Sequence, residues 1–150
     1  MKLKLSLFTL ILSVFFISCK KNSNDTPTID DLALLKQKVL GNWITTGAII
    51  EYYDASEKLA NTVDQSGTSE QTWEYFDNNS VNSYDNRGKR TYTYSFSKLN
   101  NVNYISITNN PTETYNINIE NNKMTWSVEG PYKNDPAYAT AKQIFYFSRK

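Results

Sequence analysis

Glu113-Thr114-Tyr115-Asn116-Ile117-Asn118-Ile119-Glu120-Asn121-Asn122-Lys123-Met124-Thr125-Trp126-Ser127-Val128-Glu129 is the stretch that decides the fold. Tyr115, Ile117 and Ile119 alternate with polar residues, and so do Met124, Trp126 and Val128. Successive side chains of a strand point to opposite faces, so this period of two describes two strands with one face buried. Asn121-Asn122 between them is a tight turn, because Asn tolerates left-handed backbone and bonds to its own main chain. The unit is an antiparallel hairpin.

The same pattern repeats outward in both directions. Tyr92, Tyr94 and Phe96 alternate with Thr91, Thr93, Ser95 and Ser97. Turn signals recur at Asn78-Asn79, Asn86-Arg87-Gly88, Asn100-Asn101 and Asn109-Asn110-Pro111. Eight strands are expected, at about 42–53, 71–77, 80–85, 90–97, 102–108, 113–120, 123–129 and 142–149. Short strands joined by tight turns pair with their chain neighbours. The fold class is therefore all-β, an eight-stranded up-and-down antiparallel β-barrel, since closure removes both edges. A β-sandwich is the alternative, although it normally shows longer crossing connections.

One helix precedes the strands. Leu32, Leu35, Val39 and Leu40 recur at helical spacing, Asp30 and Asp31 fall in the first turn where the helix dipole favours negative charge, Thr28 is a candidate cap, and Gly41 is a stop. The domain runs from 29 to 150. Ahead of it lies a polar tether, 19–28, and ahead of that a basic start (Lys2, Lys4) followed by an apolar run from Leu5 to Ile17. That run is shorter than the roughly 20 residues of a membrane span and suits the core of a signal peptide, 1–18.

The junction Phe16-Ile17-Ser18-Cys19 resembles the lipobox of bacterial lipoproteins. The resemblance implies diacylglycerol on the Cys19 thiol, cleavage before it, and a cell-envelope protein held by lipid. Lys20 after the cysteine, rather than Asp, points to the outer membrane. Stable anchoring needs two or more acyl chains. The polar residues 20–27 of this tether, about eight of them, reach less than ~30 Å from the membrane.

Gly41-Asn42-Trp43 follows the helix at the start of the first strand, and the last strand ends Phe145-Tyr146-Phe147-Ser148-Arg149. Together these resemble the lipocalin-like superfamily, over residues 32 to 149. The resemblance implies an eight-stranded barrel that begins with a short helix, a closed end formed by Gly41, Trp43 and Arg149 with Arg149 packed over Trp43, and an internal ligand cavity. The chain lacks the second and third lipocalin motifs and stops after the last strand. The meander by itself also brings Trp43 and Arg149 to one end, and puts the two longest connections, 54–70 and 130–141, at the other.

Composition limits the chemistry. The chain has no histidine and a single cysteine, so no Ser-His or Cys-His pair and no Cys/His metal set can form. Five glycines supply no phosphate loop. Sixteen basic and fifteen acidic residues leave no electrostatic footprint for nucleic acid. Asp30-Asp31 reads as helix capping. Glu51, Asp54, Glu57, Asp64 and Glu70 flank the first long connection, where a solvated loop is expected rather than a calcium site. No enzyme, metal or cofactor is expected.

The aromatic residues carry the functional reading. Tyr92, Tyr94, Phe96, Tyr115, Trp126 and Phe145 are expected to point inward. An eight-stranded barrel is just wide enough to be filled by its own side chains or to hold one small ligand. A buried Tyr hydroxyl needs a partner, so several inward tyrosines favour a wet or ligand-holding interior. A non-catalytic barrel binding a small amphipathic or hydrophobic molecule through Tyr92, Tyr94, Tyr115, Trp126 and Val128 is expected. Within it, Tyr92, Tyr115, Trp126 and Val128 lie nearer the opening than Phe96, Ile119 and Met124. The alternative is a filled barrel serving as a protein-interaction module, an enzyme inhibitor or accessory subunit of an envelope complex.

Overall fold

The computed structural model describes residues 30–67, 71–109 and 111–150; Cys19, the signal segment, the tether and Thr28 lie outside them. One helix, α1 (Asp31–Val39), is followed by nine strands: β1 (Gly41–Tyr53), β2 (Leu59–Asp64), β3 (Thr72–Tyr75), β4 (Ser80–Asp85), β5 (Gly88–Leu99), β6 (Val102–Thr108), β7 (Glu113–Glu120), β8 (Lys123–Pro131) and β9 (Thr140–Arg149). All neighbours pair antiparallel, and β9 returns to pair with β1 from Trp43↔Arg149 to Tyr53↔Thr140. Eight of the strands thus form a closed barrel, which excludes the open sandwich.

The ninth strand departs from the sequence reading. Residues 54–70 read as a loop, yet Leu59–Asp64 forms β2, paired with the upper half of β1 from Ile49↔Asp64 to Tyr53↔Leu59. Every residue of β2 is exposed, so no buried face imprints a period of two on its sequence. β2 and β3 run in the same direction along β1, and together they behave as one strand interrupted at 65–71. At the interruption, Gln65 N–H donates to Ala48 O, and Thr45 N–H to Gln71 O. Opposite it, β1 bulges between Thr45 and Gly47. The Ser66 hydroxyl accepts from Ala48 N–H at 3.3 Å, and a Cβ on Gly47 would stand only 3.0 Å from Ser66 Oγ.

Asparagine makes the turns. Asn79, Asn100, Asn101 and Asn121 all have positive φ, where β-branched residues are strained. Asp54 accepts from the backbone N–H of Ser56 and Lys58, and Asp64 from that of Ser66, so these acids order their own turns.

α1 closes one end. Asp30 is its N-cap, accepting from Leu32 N–H at 3.2 Å. Leu35 and Val39 are buried and enter the core with Tyr75, Val81, Tyr94, Ile105, Ile117, Ile119 and Met124. Gly41, at φ +102°, turns the chain from the helix into β1. Trp43 is fully buried, and its indole N–H donates to Val39 O at 2.7 Å. The Arg149 guanidinium lies 4.6 Å from the Trp43 ring centroid and donates to Leu40 O and Lys38 O at 2.7 and 2.6 Å. One cation therefore caps the last helical carbonyls and covers the indole.

Candidate functional site

The packed core fills only the half of the barrel next to α1. Towards the other end lies a cavity of about 430 Å³. Its lower wall is aromatic and aliphatic: Trp73, Tyr92, Ile107, Tyr115, Trp126, Phe145 and Phe147. Its rim is polar: Gln65, Ser66 and Gln71 from the strand interruption, Arg87 and Arg90 at the β4–β5 turn, Asn109 after β6, and Glu113 at the start of β7. The volume lies within the ~300–1,000 Å³ usual for small-molecule sites.

Alternation along the strands puts the rings there. Trp126 pairs with Phe145 across β8–β9 and with Ile117 across β7–β8. Its ring stacks on Tyr115 at 5.3 Å and 20°, and meets Trp73 edge-on at 5.1 Å and Phe147 at 4.8 Å. Such contacts, each worth about 0.5–1.5 kcal/mol beyond the buried area, hold the wall rigid. Tyr115 donates its hydroxyl proton to Glu113 Oε2 at 2.6 Å. Burial pushes the Tyr115 hydroxyl well above the ordinary tyrosine range, and the neighbouring Glu113 carboxylate adds to the shift.

The rim charges are organised. The Asp85 carboxylate, 5% exposed, pairs with Arg87 and Arg90. The Arg87 backbone N–H, which donates to it at 2.9 Å, holds its pKa below the usual carboxylate range, with help from the two guanidinium groups. Both arginines are thereby kept at the rim. Deeper, three lining residues carry enclosed polar atoms with no hydrogen-bond partner among the described residues: Thr45 Oγ1, Trp73 Nε1 and Trp126 Nε1. Leaving a buried donor or acceptor unpaired costs about 1–3 kcal/mol each.

Of the residues expected to hold a ligand, Tyr92, Tyr115 and Trp126 line the cavity. Tyr94 does not. It lies one pleat deeper on β5, buried against Tyr75 and Phe96, and its hydroxyl donates to Phe76 O at 2.8 Å. Val128 does not line it either. It is 41% exposed, on the part of β8 beyond Ser127, the last residue that pairs with β7. Gly41, Trp43 and Arg149 gather at the closed end and take no part in the cavity.

Sequence reasoning missed Trp73, Phe147, Ala48 and the rim. Trp73 stood inside an expected strand and shares its alternation with the buried Tyr75, so parity alone reveals it. Arg87 and Arg90 were readable only as turn and strand-start residues. Their place at the rim follows from three-dimensional closure.

The chain matches no protein-family model, no curated protein and no solved structure. The functional reading therefore rests on the geometry of the barrel itself. No helix among the described residues is long and apolar enough to cross a membrane.

Proposed function

We propose that this protein is a lipid-anchored, lipocalin-like binding barrel that holds a small amphipathic molecule without transforming it. The observation that carries the reading is the aromatic-walled cavity of about 430 Å³ above a packed, helix-closed base. Its wall suits a flat or aliphatic body, and its rim offers amides, guanidinium groups and a carboxylate to polar substituents.

The test is a cavity-filling variant. Ala48 lies on the cavity wall opposite Phe145, so Ala48→Phe occupies the space with little strain. A fluorescent hydrophobic probe should bind the native protein and not the variant, and native mass spectrometry of protein taken from its host should find a co-purifying small molecule. Equal probe binding by both proteins, with no co-purifying molecule, rejects the reading.

One observation favours a second role as a protein-interaction module. β2 is an exposed edge strand with no partner on its outer side among the described residues, and such edges accept added strands.

A further inference from the structure

The wall of the barrel is not of even height. Above Ser127 on β8 there is no pairing with β7, and above Ile44 on β1 there is no pairing with β3. Four strands continue past these points in the order β2-β1-β9-β8, joined at Ile50↔Val63, Ile50↔Gln143 and Val128↔Gln143. They form a flange on one side of the mouth. In the ring order of the barrel, the low rim carrying Arg87, Arg90 and Asn109 stands across from it.

The flange has two unlike faces. Counting by twos from the cavity residues Ala48, Phe145 and Trp126, the face turned towards the mouth carries Val63, Ile50, Gln143 and Val128 in one row. The next row carries Asn61, Tyr52, Ala141 and Gly130. The opposite face carries Thr62, Glu51, Lys142 and Glu129 in one row, between a row of Asp64, Ile49, Ile144 and Ser127 and a row of Leu59, Tyr53, Thr140 and Pro131. The charged groups of the flange thus all stand on the outer face and none on the inner one, as in a sheet that covers something. Yet Val63 and Val128 are 39% and 41% exposed. At the tip, Tyr132 and Tyr138 pack on Tyr52 at 5.0 and 4.9 Å, and Asn61 Nδ2 donates to the Tyr138 hydroxyl at 3.5 Å.

We infer that the flange is an extension of the binding site, and that the guest is a single-chain, acyl-type amphiphile longer than the cavity. The end of its chain fills the cavity, the middle runs up the Ile50–Val63–Val128 row, and its polar head reaches the hydroxyl and amide groups at the tip. Continuity carries the inference: the inner face follows without a change of register from three residues that line the cavity. From Ala48 to Tyr52 the strand adds four residues, about 13 Å of track at ~3.3 Å each. The inference rests on the cavity reading above and goes beyond it in naming the guest's length and class.

The experiment measures affinity for saturated fatty acids from octanoate to hexadecanoate by calorimetry on the folded protein. Each methylene that finds apolar surface is worth about fourfold in affinity. Affinity should climb beyond the chain length that fills the cavity. Val63→Asp with Val128→Asp should flatten the upper part of that climb and leave octanoate unchanged. Both sites are exposed, so the fold survives. Thr62→Asp puts the same charge on the outer face of β2 and should change nothing. A plateau at short chains in the native protein, or an unaltered climb in the double variant, overturns the flange and leaves the cavity reading intact. Failure of every acid to bind overturns the acyl class, while the cavity reading stands or falls on Ala48→Phe.

Discussion

At the scale of single residues, the closed end makes the sharpest demands. Trp43 is fully buried, and Trp43→Ala should cost roughly 3–5 kcal/mol, as large core truncations do. Arg149→Ala removes a cation from the indole face, an interaction worth roughly 0.5–2 kcal/mol, together with two bonds to helix carbonyls. Urea melts of both single variants and the double should show coupling, because each partner's loss already removes the shared contact. Strictly additive losses would mean the contact contributes nothing. Gly41→Ala should weaken the same corner, since its φ of +102° strains any Cβ, which would also stand 3.1 Å from Arg149 Nη1. This corner was legible in the sequence because it joins two chain ends that any closed meander brings together. The cavity wall was less so: parity locates Tyr92, Tyr115 and Trp126, but alternation gives no height, and Tyr94 and Val128 fall below and above the cavity they were expected to line.

Tyrosines give a second prediction at this scale. Tyr53 donates to Glu51 at 2.7 Å, and that bond, followed by burial, raises its pKa to about 12. Burial raises Tyr75 and Tyr94 as well as Tyr115. A group whose folded pKa exceeds its unfolded value of about 10 stabilises the fold fully below that pH and loses the contribution as pH rises through the folded value. Ultraviolet titration should therefore show some tyrosines ionising near pH ~10 and a second set delayed, with the barrel losing stability as the delayed set ionises. A single transition for all eleven near pH ~10 would contradict the buried environments described.

At the scale of elements, α1 and β2 are opposites. α1 was legible because it has one wet face and one dry one, with Leu35 and Val39 buried. Asp30→Ala removes its N-cap and should lower stability by about 0.5–2 kcal/mol in thermal or urea melts. An unchanged midpoint would mean the capping bond is worth nothing there. β2 was hidden because both its faces meet solvent, and the strand depends on main-chain pairing with β1. Gly47 is the hinge of that arrangement, with Ser66 seated against it. Gly47→Val should lift the Ser66 loop, expose Ala48 and Gln65 amides to hydrogen exchange, and leave the α1 end unaffected. Protection unchanged at Ala48 and Gln65 would refute this role.

At the scale of the whole molecule, direction matters. α1 crosses the end of the barrel opposite the cavity, so the chain ahead of residue 30 arrives at the closed base. Under the proposed anchoring at Cys19, the mouth faces away from the bilayer. Metabolic labelling with a clickable fatty acid should mark the native protein and not Cys19→Ser, and equal labelling of both would remove the anchor from the proposal. The fold class was legible because period-two patterning extends over most of the chain. The uneven height of the wall was not, since it depends on where pairing with β3 and β7 stops, which no local pattern records.

The helical base has one more consequence. With α1 sealed into the core at one end, the described residues leave the barrel a single door. Under the proposed binding role, a guest cannot pass through it from one side to the other, and it enters and leaves by the same route. Under the proposed anchoring at Cys19, the molecule could not return a guest to its own bilayer without tipping over. Donors and recipients of that guest would then have to come to the mouth.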